Sequence, residues 1–542
     1  MNNALLKVEI PQNEPIKSYL SGTPERNALE AELKRQASNR IEIPLIIGGK
    51  EVRTGKIQNV VMPHDHGHVL ATCHMATERE VRLAIEAALE AKRDWMTMSW
   101  NERMAIQLKA AELLAKKDRY VVNAATMLGQ SKNAFQAEID AACEAIDYFR
   151  YNAHFVTQIY GTQPRSTIEQ LNWLEYRPLE GFVLTVSPFN FTAIASNLSM
   201  SVVLMGNTVV WKPATTSLLS NYYLMKVYHE AGLPDGVVNF VPGSGAVVGD
   251  TAVVHPDLGG VHFTGSNGTF NHIWKKLADN LKGYRSYPRL VGETGGKNFI
   301  FVHASADPRE VATAFMRGSF EYQGQKCSAS SRGYIPRSLW PEIRSLLVEM
   351  VSNIHTGDVR DFDNFVNAVI DERAYDSIMG YLERAKKSPA VEILTGGNGD
   401  KSKGYFVEPT ILVTSDPHFA TMEEEIFGPV VTLYVYEDQD YLETLELCDK
   451  TSPYALTGAV FSSDRAAMVK ACQVLRYAAG NFYCNDKPTG AMVGMQPFGG
   501  ARASGTNDKA GGLTNLLRWT SPRTIKETFL PATDFRYDYM SH

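Results

Sequence analysis

The sequence predicts an α/β protein made of two doubly wound domains, and three observations lead there. From Leu171 onward, short apolar runs of strand length recur between Gly, Pro and Asn: GFVLTVSP, NTVVWKP, GVVNFVPG, GVHFTGS and KNFIFVH. Helical stretches such as SLLSNYYLMKVYHEAGLP separate them, and strands that are apolar throughout call for a parallel sheet covered on both faces. A second alternation begins after Phe299 and includes VVTLYVY, LTGAVFS and NFYCN, so a second α/β unit carries the later motifs.

Ahead of the first alternation, residues 77–155 are dense in Ala, Glu, Leu and Lys. EREVRLAIEAALEAKRDW places Val81, Ile85, Ala88 and Leu89 on one face at helical spacing, with Thr77 as N-cap and Glu80 three residues on. The resulting division assigns residues 1–158 and 180–292 to a dinucleotide-binding domain and 293–500 to a catalytic domain. Segments 159–179 and 515–542 contain STIEQLNWLEYRPLEG and TIKETFLPATDFRYDYM, which are strand-prone and fall outside both alternations. They are expected to pair at sheet edges between subunits.

Composition narrows the function. A chain of 542 residues with 44% hydrophobic and 21% charged residues is an ordinary globular protein of enzyme size. A net charge of -6 without a dense basic run lacks the electrostatic footprint of a nucleic-acid binder. The six cysteines form no CxxC pair and do not cluster with histidine, so neither a metal site nor a disulfide framework is expected. MNNALLKVEIPQNEPIKSYLSG has no apolar signal core, and no apolar run reaches the ~18 residues of a spanning helix. The expectation is a cytoplasmic protein without a membrane partner.

The chemistry-bearing residues sit where the texture turns glycine-rich. Cys327 lies in FEYQGQKCSASSRGY with Gly324 upstream and Ser328, Ala329 and Ser330 behind it, small residues that let a substrate approach the sulfur. A buried structural thiol is the other reading, and the local residues alone leave both open. Glu293 stands in LVGETGGKNFIF, in a glycine-permitted turn leading into a strand, where a carboxylate can act as general base on water or be a solvated turn residue. Asn190 of SPFNFT follows a strand, where open α/β sheets place ligands, and its amide can donate to an oxyanion or to the local turn. Lys212 of VVWKP ends the next strand. Two loops compete for a phosphate: VPGSGAVVG, one residue too long for a dinucleotide fingerprint, and FTGSNGTF, with Gly265 and Ser266 at a strand-to-helix junction.

Taken in order, SPFNFT, VVWKP, FTGS, GETGGKNF, GQKCSASSR, EEIFGPV and QPFGGARASGTND resemble the aldehyde dehydrogenase superfamily. FEYQGQKCSA, GNFYCNDKPTGAMVGMQPFGGARASGTNDKAGG, LRWTSPRTIKET and SGTPERNALEAELK are similar to its branch that oxidises L-glutamate γ-semialdehyde, the aldehyde derived from proline. The resemblance implies that family's fold, two doubly wound domains with a small oligomerisation β-flap. It also implies Cys327 as nucleophile, Glu293 as the base for deacylation and the Asn190 amide as oxyanion donor. Ser187, Lys212, Gly265, Ser266, Glu425 and Phe427 would hold NAD. Many NAD-specific relatives carry a glutamate where this chain has Thr215, so the resemblance leaves NADP open.

For the substrate, the resemblance assigns TGAMVG, with Gly490 and Ala491, to anchoring the carboxylate and ammonium, assisted by Ser328, and Phe191 and Phe498 to packing on the aliphatic middle. Some relatives have serine at Ala491. A homodimer or larger homo-oligomer is implied, with a hairpin near residues 160–180 and the C-terminal tail pairing across subunits, and with a separate proline dehydrogenase as the source of substrate. The rival expectations are another semialdehyde, acyl transfer to coenzyme A, and a non-catalytic binding protein on the same fold.

Overall fold

In the computed structural model, residues 6–540 are described; the first five residues of the amino-terminal stretch read above and the last two of the C-terminal segment lie outside them. Two seven-stranded sheets organise the chain. In the first, the strands Arg289–Glu293, Leu258–Thr264, Phe182–Val186, Val209–Lys212 and Val238–Phe240 lie side by side in parallel. Leu45–Ile47 and Lys50–Val52 extend this sheet antiparallel at one edge.

Strand alternation explains why these runs read as apolar throughout. Val183, Val209 and Trp211 join the cluster containing Ala193, Val202 and Leu218, from the helices Thr192–Leu204 and Leu218–Ala231. Phe182, Leu184 and Val210 point the other way, to Val81, Ile85, Val248 and Phe270 of the helices Glu78–Trp95, Gly245–Val253 and Asn267–Asp279. The Thr77 and Glu80 capping box begins Glu78–Trp95, as the sequence predicts.

The second sheet runs Val391–Thr395, Thr410–Thr414, Val430–Tyr436, Ser330–Pro336, Asn298–Val302, Thr457–Phe461 and Asn481–Cys484, parallel except for its first strand. Ile300 and Val302 pack with Phe315 and Ile343 on one face, and Phe299 and Phe301 with Leu445 and Met468 on the other.

Chain order in the first sheet reverses between Phe182–Val186 and Leu258–Thr264, which opens a crevice at their carboxyl ends. Both polar loops singled out in the sequence, SPFNFT and TGS, leave the sheet at that reversal.

Residues 160–180 fold back at a bend at 168–169, where Thr167 N–H donates to the Gln170 carbonyl at 3.0 Å, Asn172 N–H to the Ser166 hydroxyl at 2.9 Å and Leu174 N–H to the Gln163 amide oxygen at 2.8 Å, but only the second arm is a strand. The helix Ala145–Gly161 runs into this stretch, and the single strand Gln170–Pro178 pairs antiparallel with Thr520–Thr528 over nine residues, from Gln170 opposite Thr528 to Thr520 opposite Pro178. Residues 162–167 are not themselves a strand, so the ladder partner of Gln170–Pro178 comes from Thr520–Thr528, far along the sequence.

Candidate active site

Three features fix the cysteine. Ahead of it, Tyr322, Gln323 and Gly324 adopt left-handed φ values of 51°, 54° and 65° in succession. Each non-glycine residue held there costs about 1–3 kcal/mol, a cost that recurs at functional turns. Gln323 holds the turn by donating to the Ser131 and Ala368 carbonyls at 2.9 and 2.8 Å, and a Cβ on Gly324 would lie 2.2 Å from the Gly428 carbonyl oxygen. Behind it, the Asn298 amide donates to the Cys327 and Ala329 carbonyls at 2.7 and 2.8 Å, while its oxygen accepts from Thr457 N–H at 3.0 Å. Asn298 was not singled out in the sequence; an asparagine opening an apolar strand is the only signal it gives.

Glu293 differs from its sequence reading in one respect. It is the last residue of the strand Arg289–Glu293 rather than a turn residue, and the turn follows at residues 294–297, which lead into the second sheet. Its Oε1 is buried without a hydrogen-bond partner among the described residues. Burial pushes its pKa up to about 8, opposed by Lys509 and reinforced by Asp508. Burial likewise raises the Cys327 thiol, Glu293 and Glu425 add to that, and a Ser328 N–H bond lowers it. Thiol and carboxyl therefore oppose each other's ionisation.

Cys327, Glu293, Phe191, Ser328, Gly490, Ala491 and Phe498 line one cavity of about 340 Å³. Ser328 and Thr489 share a hydroxyl–hydroxyl hydrogen bond at 2.8 Å, and Gly490 takes φ of 94°, a left-handed value that suits glycine. The same cavity holds Glu144, which sequence reasoning missed. It closes a seven-residue π-helix, Glu138–Glu144, a geometry that occurs often at functional sites and has no sequence signature. Burial and the nearby Asp140 push the Glu144 pKa up to about 8.

Asn190 does not line this cavity. Its amide donates to the Gln325 carbonyl at 3.0 Å, two residues before Cys327, so one N–H tethers the cysteine turn and the other is available. The helix that follows Asn190 and Phe191 is held by Asp140, whose carboxylate accepts from Thr192 and Ala193 N–H at 3.0 and 2.8 Å. Lys132 pairs with Asp140 at 2.7 Å, both side chains fully buried, and lies 4.0 Å over the Phe191 ring. Replacing Lys132 by methionine strands that carboxylate in the interior. A loss of about 3–5 kcal/mol is expected, read from urea unfolding, and a change under 1 kcal/mol would refute it.

The remaining sequence candidates stand outside the cavity, around the carboxyl ends of the first sheet. Ser187 is buried, its hydroxyl accepting from the Trp211 indole at 3.0 Å and its N–H spent on the Lys212 carbonyl. Lys212 ends its strand, and burial lowers its pKa to about 8. Ser266 caps Asn267–Asp279, accepting from Thr269 N–H at 3.3 Å, and Gly265 N–H bonds the Glu293 carbonyl at 3.1 Å. Glu425 accepts from Gly296 N–H at 2.8 Å with its pKa raised to about 7 by burial, and a Cβ on Gly295 would lie 1.9 Å from its Oε2. Phe427 has φ of 59° and meets Phe189 edge-on at 5.8 Å between centroids.

These groups fit a dinucleotide. Lys212 ends one strand of the first sheet, and the helices Gly245–Val253 and Asn267–Asp279 begin after two other strands of the same sheet; their first turns contain Gly245 and Gly268, where a Cβ would meet nothing within 4 Å. Among the described residues no group of three or more His, Cys, Asp and Glu could hold a metal ion.

A parallel-sheet crevice for a dinucleotide, meeting a cavity with a fixed cysteine and a buried carboxyl, is the arrangement of a cysteine-dependent nicotinamide dehydrogenase. The aldehyde dehydrogenase family model matches residues 51–525, and the chain belongs to that family. It is 53% identical over 540 residues to the mitochondrial delta-1-pyrroline-5-carboxylate dehydrogenase of Dictyostelium discoideum, covering 99% of this chain and 97% of that one. The delta-pyrroline-5-carboxylate dehydrogenase of Mycobacterium tuberculosis, solved with NAD bound, superposes with a TM-score of 0.96 at 49% identity over the full length of both chains. Proline utilization A of Bdellovibrio bacteriovorus matches with a TM-score of 0.91 at 31% identity, over 96% of this chain and 53% of that one.

Proposed function

We propose that this protein oxidises L-glutamate γ-semialdehyde to L-glutamate with NAD, in proline catabolism, through a thiohemiacetal and a thioester on Cys327. The observation that carries the reading is one cavity holding Cys327, Glu293 and the 489–494 loop together. Phe191 and Phe498 flank the aliphatic middle of the substrate, Gly490 and Ala491 offer backbone N–H groups to its carboxylate with help from Ser328, and Glu144 faces its ammonium.

Cys327 gives its proton to water as the sulfur attacks the aldehyde carbon. The free N–H of the Asn190 amide and the Cys327 backbone N–H hold the resulting oxyanion, a contribution of about 2.7–4 kcal/mol per donor. NAD, when bound, supplies the acceptor for the hydride that leaves the thiohemiacetal carbon. Lys212, Ser266 and Glu425 hold and orient that cofactor, and Phe427 packs beside it. Glu293 then takes a proton from water as the water oxygen attacks the thioester, and the C–S bond breaks to release glutamate and the thiolate.

Glu293 favours this over acyl transfer to coenzyme A, because a buried base beside the thioester promotes hydrolysis. Purified protein with NAD and glutamate semialdehyde is expected to generate reduced-nicotinamide absorbance faster than with succinic semialdehyde or acetaldehyde. Equal rates on all three would refute the substrate. Running NADP alongside NAD tests the consequence of Thr215.

The compartment and partners are part of the proposal. Among the described residues no helix is long and apolar enough to cross a membrane. We place the protein in the cytoplasm, whereas the Dictyostelium relative is named as mitochondrial, and cell fractionation distinguishes the two. A homodimer or larger assembly is supported by the apolar side chains bordering the ribbon of Gln170–Pro178 and Thr520–Thr528: Ile168, Leu530 and Phe535 are 95%, 88% and 92% exposed. A separate proline dehydrogenase supplies the semialdehyde.

A further inference from the structure

One stretch of the chain reaches the cavity without belonging to either sheet or to any motif. Glu14 and Ile16 line the cavity beside Cys327 and the 489–494 loop, although more than 300 residues of sequence separate them from the cysteine. The strap that carries them is held on both sides. Glu14 N–H donates to Asp147 at 2.8 Å, and its carboxylate bridges Arg119 at 2.7 Å and Arg150 at 2.6 Å. Lys17 N–H and the Tyr19 hydroxyl donate to Glu138, at the head of the π-helix that ends in Glu144, at 2.8 and 2.6 Å.

Asn13 is the point where this strap meets the substrate loop. Its amide nitrogen donates to Asp147 Oδ2 at 2.7 Å and to the Val493 carbonyl at 2.9 Å, and its oxygen accepts from the Tyr151 hydroxyl at 3.1 Å. Tyr151 and Asp147 both sit on the helix Ala145–Gly161. The loop lies so close to that helix that a Cβ on Gly494 would fall 2.0 Å from the Tyr151 ring, and φ there is 81°. Both amide hydrogens and the amide oxygen are thus spent on two walls of the cavity, one of them the loop backbone at Val493, two residues beyond Ala491.

We propose that Asn13 is a positioning residue that sets substrate specificity: it locks the 489–494 loop against the helix Ala145–Gly161, so that the loop's N–H groups keep their aim at the substrate carboxylate. This rests on the proposed function and names the residue outside the catalytic motifs that makes its anchor rigid. A clamp on the carboxylate end acts on binding of the distal group and leaves the chemistry at the sulfur alone. It therefore separates substrates that have that distal group from those that lack it.

The test compares wild type, Asn13→Ala and Asn13→Asp with NAD, using glutamate semialdehyde and propanal. N13D keeps the acceptor for Tyr151 and the side-chain shape but removes both N–H donors. Wild type must first prefer the semialdehyde; if it does not, the proposed function fails before the strap is tested. Given that preference, both variants are expected to raise KM for the semialdehyde about fivefold or more, with kcat changing less than twofold and kcat/KM for propanal less than twofold. Melting curves guard against misfolding. Unchanged KM in a folded N13A overturns the proposal, and so does an equal loss on both aldehydes, which marks a structural contribution. N13D behaving like wild type refutes the role of the donors.

Discussion

Replacing Cys327 by alanine is expected to lower the rate of aldehyde oxidation by about 10^4-fold or more, the scale on which removal of a nucleophile is felt when no neighbour replaces it. The cavity's other thiol, Cys143, is turned to the Pro15 carbonyl and Glu138, with burial raising its pKa, and Ser328, the adjacent hydroxyl, is engaged with Thr489. The fold should tolerate the change, because the turn is held by Asn298, Gln323 and Asn190 through backbone carbonyls that the substitution leaves in place. NAD binding, measured by calorimetry on the variant, is expected to stay within about threefold of wild type. Turnover in C327A above one per cent of wild type would remove the covalent route and with it the proposed chemistry. Cys327→Ser sharpens the result, since it restores a heteroatom of similar reach whose proton is far harder to remove, and it too is expected to be inactive.

What the sequence made legible follows its local physics. Fully buried parallel strands have apolar side chains on both faces, so GFVLTVSP and KNFIFVH announce themselves without their neighbours, and the capping box at Thr77 and Glu80 needs only four consecutive residues. The left-handed run before Cys327 was not legible: Tyr322 and Gln323 carry no turn signal, and the positive φ is imposed by Ser131 and Ala368 from distant parts of the chain. Glu293 was read as a turn residue because glycines surround it, yet ladder bonds to Leu258–Thr264 extend the strand through it. Glu144 and Asn13 stayed hidden for a third reason. A π-helix and a strap depend on contacts formed only after the sheets are in place, and the pairing of Gln170–Pro178 with Thr520–Thr528 joins segments more than 340 residues apart.

Glu293→Gln tests the second half of the cycle and is expected to separate two steps that Cys327 joins. Glutamine keeps the shape and loses the ability to take a proton, so the first turnover should still reduce one equivalent of NAD per site while steady-state turnover falls about 10^2–10^4-fold, the usual worth of a positioned general base. Rapid mixing shows the burst, and acid quenching followed by mass measurement of the intact chain shows the acylated cysteine. The same assignment fixes the direction of the pH profile. A base must be ionised to act, and burial places this carboxyl near 8 instead of in the ordinary range of about 4. Wild-type steady-state rate should therefore climb about tenfold per pH unit below that value and level off above it, whereas E293Q should lose this limb altogether. A flat wild-type profile between pH 6 and about 8, or a vanished burst in E293Q, would place the proton transfer on another group. Asp508 and Lys509 are the levers on the midpoint. The ammonium of Lys509 pulls the Glu293 pKa down and the carboxylate of Asp508 pushes it up, so neutralising Lys509 should move the limb to higher pH.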